Sequence, residues 1–117
     1  MSTEHDCLFC AIIEGRVPSE KVYEDDRVYG FRDINPQAPV HVLVIPKTHI
    51  STINHIEPAH EALVGRLFTA AQTIAEEQGI KDSGYRVTMN CGEDALQSVY
   101  HIHLHLLGGR LMKWPPG

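Results

Sequence analysis

Residues 98–109 read SVYHIHLHLLGG, with histidines at 101, 103 and 105 and an apolar residue in each gap. Successive side chains of a β-strand point to opposite faces. The alternation therefore predicts a strand that sends His101, His103 and His105 one way and Ile102, Leu104 and Leu106 the other. Three imidazoles on one face offer two chemistries. They could ligate zinc, as His-x-His on one strand does in some zinc enzymes. One could instead attack phosphorus while its neighbours orient it. Same-face neighbours on a regular strand lie about 6.6–6.8 Å apart, too far for adjacent rings to bond but close enough to surround one phosphate. Spacing alone does not choose between metal and phosphate.

The flanking residues favour phosphate. Asn90, the loop CGEDALQ and Ser98 precede the histidines. They supply an amide, a hydroxyl and several backbone N–H groups suited to an anionic phosphoryl centre.

The elements that must position these residues follow from the rest of the chain. CLFCAIIEG predicts a short helix with Leu8, Ile12 and Ile13 on one face and Gly15 at its end. EKVYEDD and RVYGFRDI predict two strands with Asp25 and Asp26 at the turn. INPQAP is a loop, and HVLVIP is an apolar central strand that stops at Pro46. Pro58 and Gly79 bracket one long helix, 58–78, whose apolar stripe holds Leu63, Leu67, Ala70 and Ile74. Val64, Phe68, Ala71 and Ala75 widen that stripe enough to cover a sheet. YRVTMN is a further strand before the histidine strand. Strands, one long helix, then strands predict an α+β fold on an antiparallel sheet of about five strands.

The 117 residues allow one domain, 1–117, and one core. A net charge of −5 argues against a broad nucleic-acid-binding surface, though not against a single nucleotide. No apolar run reaches the ~20 residues of a membrane span, and MSTEHD carries no signal pattern, so a cytoplasmic protein without membrane partners is expected. Cys7, Cys10 and Cys91 leave one cysteine over in any disulfide scheme. Cys7-x-x-Cys10 therefore reads as a metal or redox pair. On pattern alone Asp33 is a turn residue, Phe9, Phe31, Ile34 and Leu43 are core, and His5, His55 and His60 are solvated.

HIHLHLLGG matches the His-x-His-x-His-x-x motif of the histidine-triad superfamily. FRDINPQAPVHVLVIPKTHIS, GYRVTMN and QSVYHIHLHLLGGRLMKWPPG extend the likeness. Over residues 6–117 the chain resembles the histidine-triad nucleotide-binding proteins, the purine nucleoside phosphoramidase branch. The resemblance implies that the middle histidine, His103, attacks the α-phosphorus of a nucleoside monophosphate amidate and that water then frees the nucleotide. It implies phosphate or leaving-group contacts from Ser98 and His105, and a supporting role for His41. Asn90 would contact phosphate and ribose, and Asp33 the ribose hydroxyls. Phe9, Phe31, Ile34 and Leu43 would wall the base, with Gln97, Val99 and Trp114 also at the nucleotide site. No cofactor is needed for that chemistry.

The resemblance also implies a homodimer joined through the long helix and the YRVTMN strand. The tail 111–117 would then carry Trp114 toward the partner's active site, while residues 1–5 form a flexible terminus. Two departures stand out. Leu96 occupies a loop position where the family usually has glycine, and Cys91 one where an acid is common. The best-known nucleoside phosphoramidases lack the Cys7–Cys10 pair. Several bacterial superfamily members combine such cysteines with two histidines, here His49 and His101, which implies a structural zinc with four protein ligands. Two other function classes follow from the same residues: a nucleotide-binding regulatory dimer with residual hydrolysis, and a zinc-dependent hydrolase built on the three histidines.

Overall fold

The computed structural model describes residues 6–117. The terminus 1–5, and His5 with it, lies outside the described residues. A short helix α1 (Leu8–Ile13) leads into β1 (Lys21–Glu24), β2 (Val28–Arg32) and β3 (Val40–Pro46). Two 3₁₀ turns, Ile53–His55 and Pro58–His60, precede α2 (Glu61–Glu77), and β4 (Tyr85–Thr88) and β5 (Leu104–Gly108) complete the chain. All pairings are antiparallel, in the order β1-β2-β3-β5-β4, so the expected five-stranded α+β architecture is present and HVLVIP is its central strand. No helix among the described residues is long and apolar enough to cross a membrane.

Strand alternation divides the core into two layers. Val28, Val42, Val44, Leu104 and Leu106 face α2, where Leu63, Leu67, Ala70, Ala71, Ile74 and Ala75 pack onto them. Tyr29, Phe31, Leu43 and Ile45 face the other way and receive Phe9, Cys10 and Ile12 of α1 and Cys7, its N-cap. α2 packs closely over Gly30. A Cβ there would lie 3.1 Å from Ile74 Cδ1, tighter than ordinary contact. At both helix ends glycine takes the left-handed turn, Gly15 at φ +81° and Gly79 at φ +76°.

The structure corrects three sequence expectations. Leu8 is exposed, and α1 buries Phe9, Cys10, Ala11 and Ile12 instead. Phe68 does not join the α2 stripe but stands half exposed on the helix's outer side. The histidine strand is shorter than its alternation suggests, because only His105 lies inside β5. Ladder pairing stops at Val44 opposite Leu104. Beyond it Pro46 has no N–H to offer, and its carbonyl is taken by the His101 ring, with Nε2 2.8 Å away. Ile102 donates instead to the Ile50 carbonyl at 2.7 Å.

Candidate active site and candidate metal centre

The three histidines do not converge on one point. His103 and His105 open onto a cleft on the α1 side of the sheet, whereas His101 turns toward the cysteines. Residues 101–103 lie outside the β5 ladder, and the His103 ring is held by the His101 carbonyl, with Nδ1 2.8 Å away. The His103 and His105 ring centroids are 5.0 Å apart. Ile102, Leu104 and Leu106 are fully buried on the opposite face, as the alternation required.

The cleft, about 290 Å³, is lined by Phe9, Phe31, Ile34, Leu43 and Val99, with Asp33, Ser98, His103 and His105 as its polar groups. That composition, apolar walls with a few convergent polar groups, suits a small organic ligand. Leu8, Ile12, Val17 and Pro18 also line it, and no sequence signal marked them for it. The exposure of Leu8, which helix periodicity assigns to the core, is explained by this cleft.

A carbonyl only accepts hydrogen bonds, so His103 carries its proton on Nδ1 and leaves a lone pair on Nε2. Burial lowers the His103 pKa, and the His101 carbonyl and Asp33 oppose the shift without cancelling it. The ring is neutral near pH 7, as a nucleophile must be. His105 is pushed down from 6.5 to about 4, first by burial and then by the neighbouring His103 and His41. His41 is buried and lies within 2.9 Å of His105 (Nε2 to Nδ1) and 3.4 Å of Asp33 Oδ2. Burial lowers its pKa while the Asp33 carboxylate resists. Phe9 meets the His103 ring edge to face at 5.1 Å and Phe31 at 5.5 Å.

Other expected residues fall elsewhere. Gln97 does not line the cleft. Its amide is buried, accepts from Gly92 N–H, donates to the Ser51 and Val99 carbonyls, and so braces the loop that carries Ser98. Asn90 lies just past the end of β4 and is partly buried. Trp114 stands exposed on the tail and is not part of this cleft.

The second cluster gathers Cys7, Cys10, His49 and His101, whose donor atoms all lie within 4.8 Å of one another. Cys7 Sγ is 3.3 Å from His101 Nδ1, and Cys10 Sγ is 3.5 Å from His49 Nδ1 and 3.6 Å from His101 Nδ1. Tetrahedral zinc at ordinary bond lengths separates sulfur and nitrogen ligands by about 3.6 Å. The three sulfur–nitrogen separations match that spacing, and the donor set is a Cys₂His₂ one suited to zinc. His101 also donates Nε2–H to the Pro46 carbonyl, the outer contact that fixes a ligating imidazole with its lone pair on Nδ1. His101 thus belongs to this cluster, and the three histidines do not form a zinc site of their own.

A five-stranded antiparallel sheet, one long helix behind it and paired histidines over a nucleotide-sized cleft define a class of small nucleotide-processing proteins. Comparison with known proteins makes the class specific. The model of the scavenger mRNA decapping enzyme C-terminal binding family matches residues 6–113. Purine nucleoside phosphoramidase of Escherichia coli K12 is 50% identical over 105 residues, 90% of this chain and 88% of that protein. A 14 kDa zinc-binding protein of Zea mays is 50% identical over 112 residues, 94% of this chain and 87% of that one. The crystal structure of a HIT family hydrolase from Legionella pneumophila superposes with a TM-score of 0.93 at 49% identity, covering 95% of this chain and 99% of that one. The chain belongs to the histidine-triad superfamily, in its nucleotide-binding-protein branch.

Proposed function

We propose that this protein hydrolyses purine nucleoside phosphoramidates of the AMP–amine type through a nucleotide bound covalently to His103. The observation that carries the reading is the His103 ring, neutral, with Nδ1–H tied to a carbonyl and the Nε2 lone pair left for a substrate. Nε2 attacks the α-phosphorus, a P–Nε2 bond forms and the bond to the leaving amine breaks. Ser98 and His105 are the protic groups of the cleft that contact the phosphoryl oxygens and serve the departing nitrogen. Water then attacks the same phosphorus, His103 leaves, and the products are AMP and the free amine. Asp33 accepts the ribose hydroxyls, Phe9, Phe31, Ile34 and Leu43 enclose the base, and Asn90 contacts the phosphate. His41 supports His105.

Cys7, Cys10, His49 and His101 would hold a zinc ion with four protein ligands, and such an ion would supply structure rather than a reactive water. The chain works as a homodimer. The edge strand β4 and the exposed Phe68 of α2 form its interface, and Trp114 on the tail 111–117 reaches the partner's cleft.

The test is hydrolysis of an adenosine phosphoramidate by the native protein and by His103→Ala, each with and without chelator treatment of the buffer. Turnover by the native chain and a loss of at least about 10³-fold in the variant is the expected result. Binding of AMP without turnover by either protein would replace this reading with that of a nucleotide-binding regulatory dimer. Turnover by the native protein that the chelator abolishes, with AMP binding and fold intact, would indicate zinc-dependent hydrolysis.

A further inference from the structure

The loop between β2 and β3 makes a contact that the catalytic reading does not use. Gln37 donates its backbone N–H to His41 Nδ1 at 3.0 Å. A backbone N–H can only donate, so His41 Nδ1 must be the unprotonated nitrogen and Nε2 must carry the proton. That proton faces His105 Nδ1 at 2.9 Å, which must then accept. His105 is left with its own proton on Nε2. This peptide N–H, with the Asp33 carboxylate 3.4 Å from His41 Nε2 acting in the same sense, sets through two rings that His105 enters the cleft as a hydrogen-bond donor.

Residue Gln37 is itself held in place. Arg110, just past β5, donates Nε–H to the Gln37 carbonyl at 3.1 Å. The Gln37 side-chain amide donates to the Asn35 carbonyl at 3.0 Å, and Asn35 N–H bonds Asp33 Oδ1 at 2.8 Å. Asp33 N–H in turn donates to the His41 carbonyl at 3.0 Å. Arg110 is the tie that comes from outside this loop. It anchors the carbonyl side of Gln37, one Cα away from the N–H that meets His41, from a residue 73 positions away in sequence.

We infer that Arg110 is a positioning residue for the hydrolysis: it anchors Gln37 through its carbonyl, so that the N–H on the other side of the same Cα holds His41 and, through it, His105 in the tautomer that offers Nε2–H to the phosphoryl oxygens. A fixed donor at that point stabilises charge as it develops in the transition state and does little for ground-state binding. The same lock explains a contrast between the two clusters. Asp33, His41 and His105 are close enough to hold a metal. With Nε2 protonated, His41 has no lone pair to give one, while His101 and its cysteines do.

The inference rests on the phosphoramidase reading for its kinetic consequence but not for the tautomers, and the experiment separates the two. Long-range ¹H–¹⁵N spectra of the native protein near pH 7.5 report the protonated nitrogen of each ring. His41 and His105 both protonated on Nε2 is the expected result, and protonation of His41 on Nδ1 overturns the inference whether or not the protein turns over. Arg110→Met, which has no N–H to give, is then expected to yield mixed His41 tautomers and a kcat lower by about 3–10-fold, with KM within about 2-fold. Arg110→Lys, which keeps a donor for the Gln37 carbonyl, is expected to restore most of kcat. A single native tautomer in Arg110→Met, or equal losses in both variants, overturns the role of Arg110. Should Arg110→Met fail to fold, replacing the amide between Pro36 and Gln37 by an ester removes the N–H itself, and unchanged His41 and His105 tautomers there overturn the lock.

Discussion

Leu96 sits at φ +63°, a left-handed backbone that L side chains adopt at a cost, and its side chain is 82% exposed. The exposed side chain returns little burial energy for that strain. Leu96→Gly is therefore expected to raise stability by about 1 kcal/mol, read as a higher denaturant midpoint with unchanged slope. The loop geometry that glycine usually supplies in this family is kept here by a strained leucine. The histidines make a second prediction at this scale. His105 has a folded pKa near 4 and an ordinary value of 6.5 when unfolded. Between those values the unfolded chain binds a proton that the folded chain refuses, so folding stability is full above about pH 6.5 and is lost as pH falls through about 4. Burial lowers His41 in the same sense. Thermal melts between pH 7.5 and 4.5 should show a falling midpoint, and a midpoint that rises on acidification would contradict the assignment.

The element that most depends on the proposed metal is α1. At six residues it is too short to be stable alone, and Cys7 at its N-cap and Cys10 within it are two of the four cluster ligands. Phe9, between them in sequence, touches the rings of His101 and His103 at 5.8 and 5.1 Å. Zinc at 100–1,000 times its dissociation constant would stabilise the folded chain by about 3–4 kcal/mol. Chelation is expected to lower the melting midpoint and to speed hydrogen exchange first in residues 8–13. The same treatment should weaken AMP binding, since Phe9 walls the cleft. Uniform exchange changes across the sheet, with α1 protected, would argue against a metal anchor. β5 teaches a different lesson about elements, because its start is set by the partner strand ending at Pro46 rather than by its own alternation.

Among the described residues both sheet edges, β1 and β4, are unpaired on one side, and several large apolar side chains are exposed. The β4 edge is the one the YRVTMN strand supplies, and Phe68 is half exposed on α2. Open strand edges and exposed aromatics are the features that a symmetric partner covers. Sedimentation should give twice the chain mass of 13.1 kDa, and Phe68→Glu should weaken association about 10–100-fold. A native monomer at micromolar concentration would remove the dimer from the mechanism, and with it any role for Trp114 in the partner's cleft.

Local patterns settled much of this architecture. Period-two alternation placed Ile102, Leu104 and Leu106 in the core opposite the histidines. Helical spacing placed Leu63, Leu67, Ala70 and Ile74 against the sheet, because those signals depend only on neighbours a few residues away. Motif likeness located His103 and proposed the Cys₂His₂ set, which pattern alone read only as a cysteine pair. What the sequence could not contain was decided by register between distant strands and loops. Only the folded chain brings His101 to Cys7 across 94 positions and His41 to His105 across 64. The partners of each imidazole nitrogen follow from that packing. They draw His101 into the cysteine cluster, leave His103 a free Nε2 lone pair and make His105 a donor. A proton's place on a ring is fixed by whichever carbonyl or N–H the tertiary structure sets beside it, and no spacing within a strand encodes that.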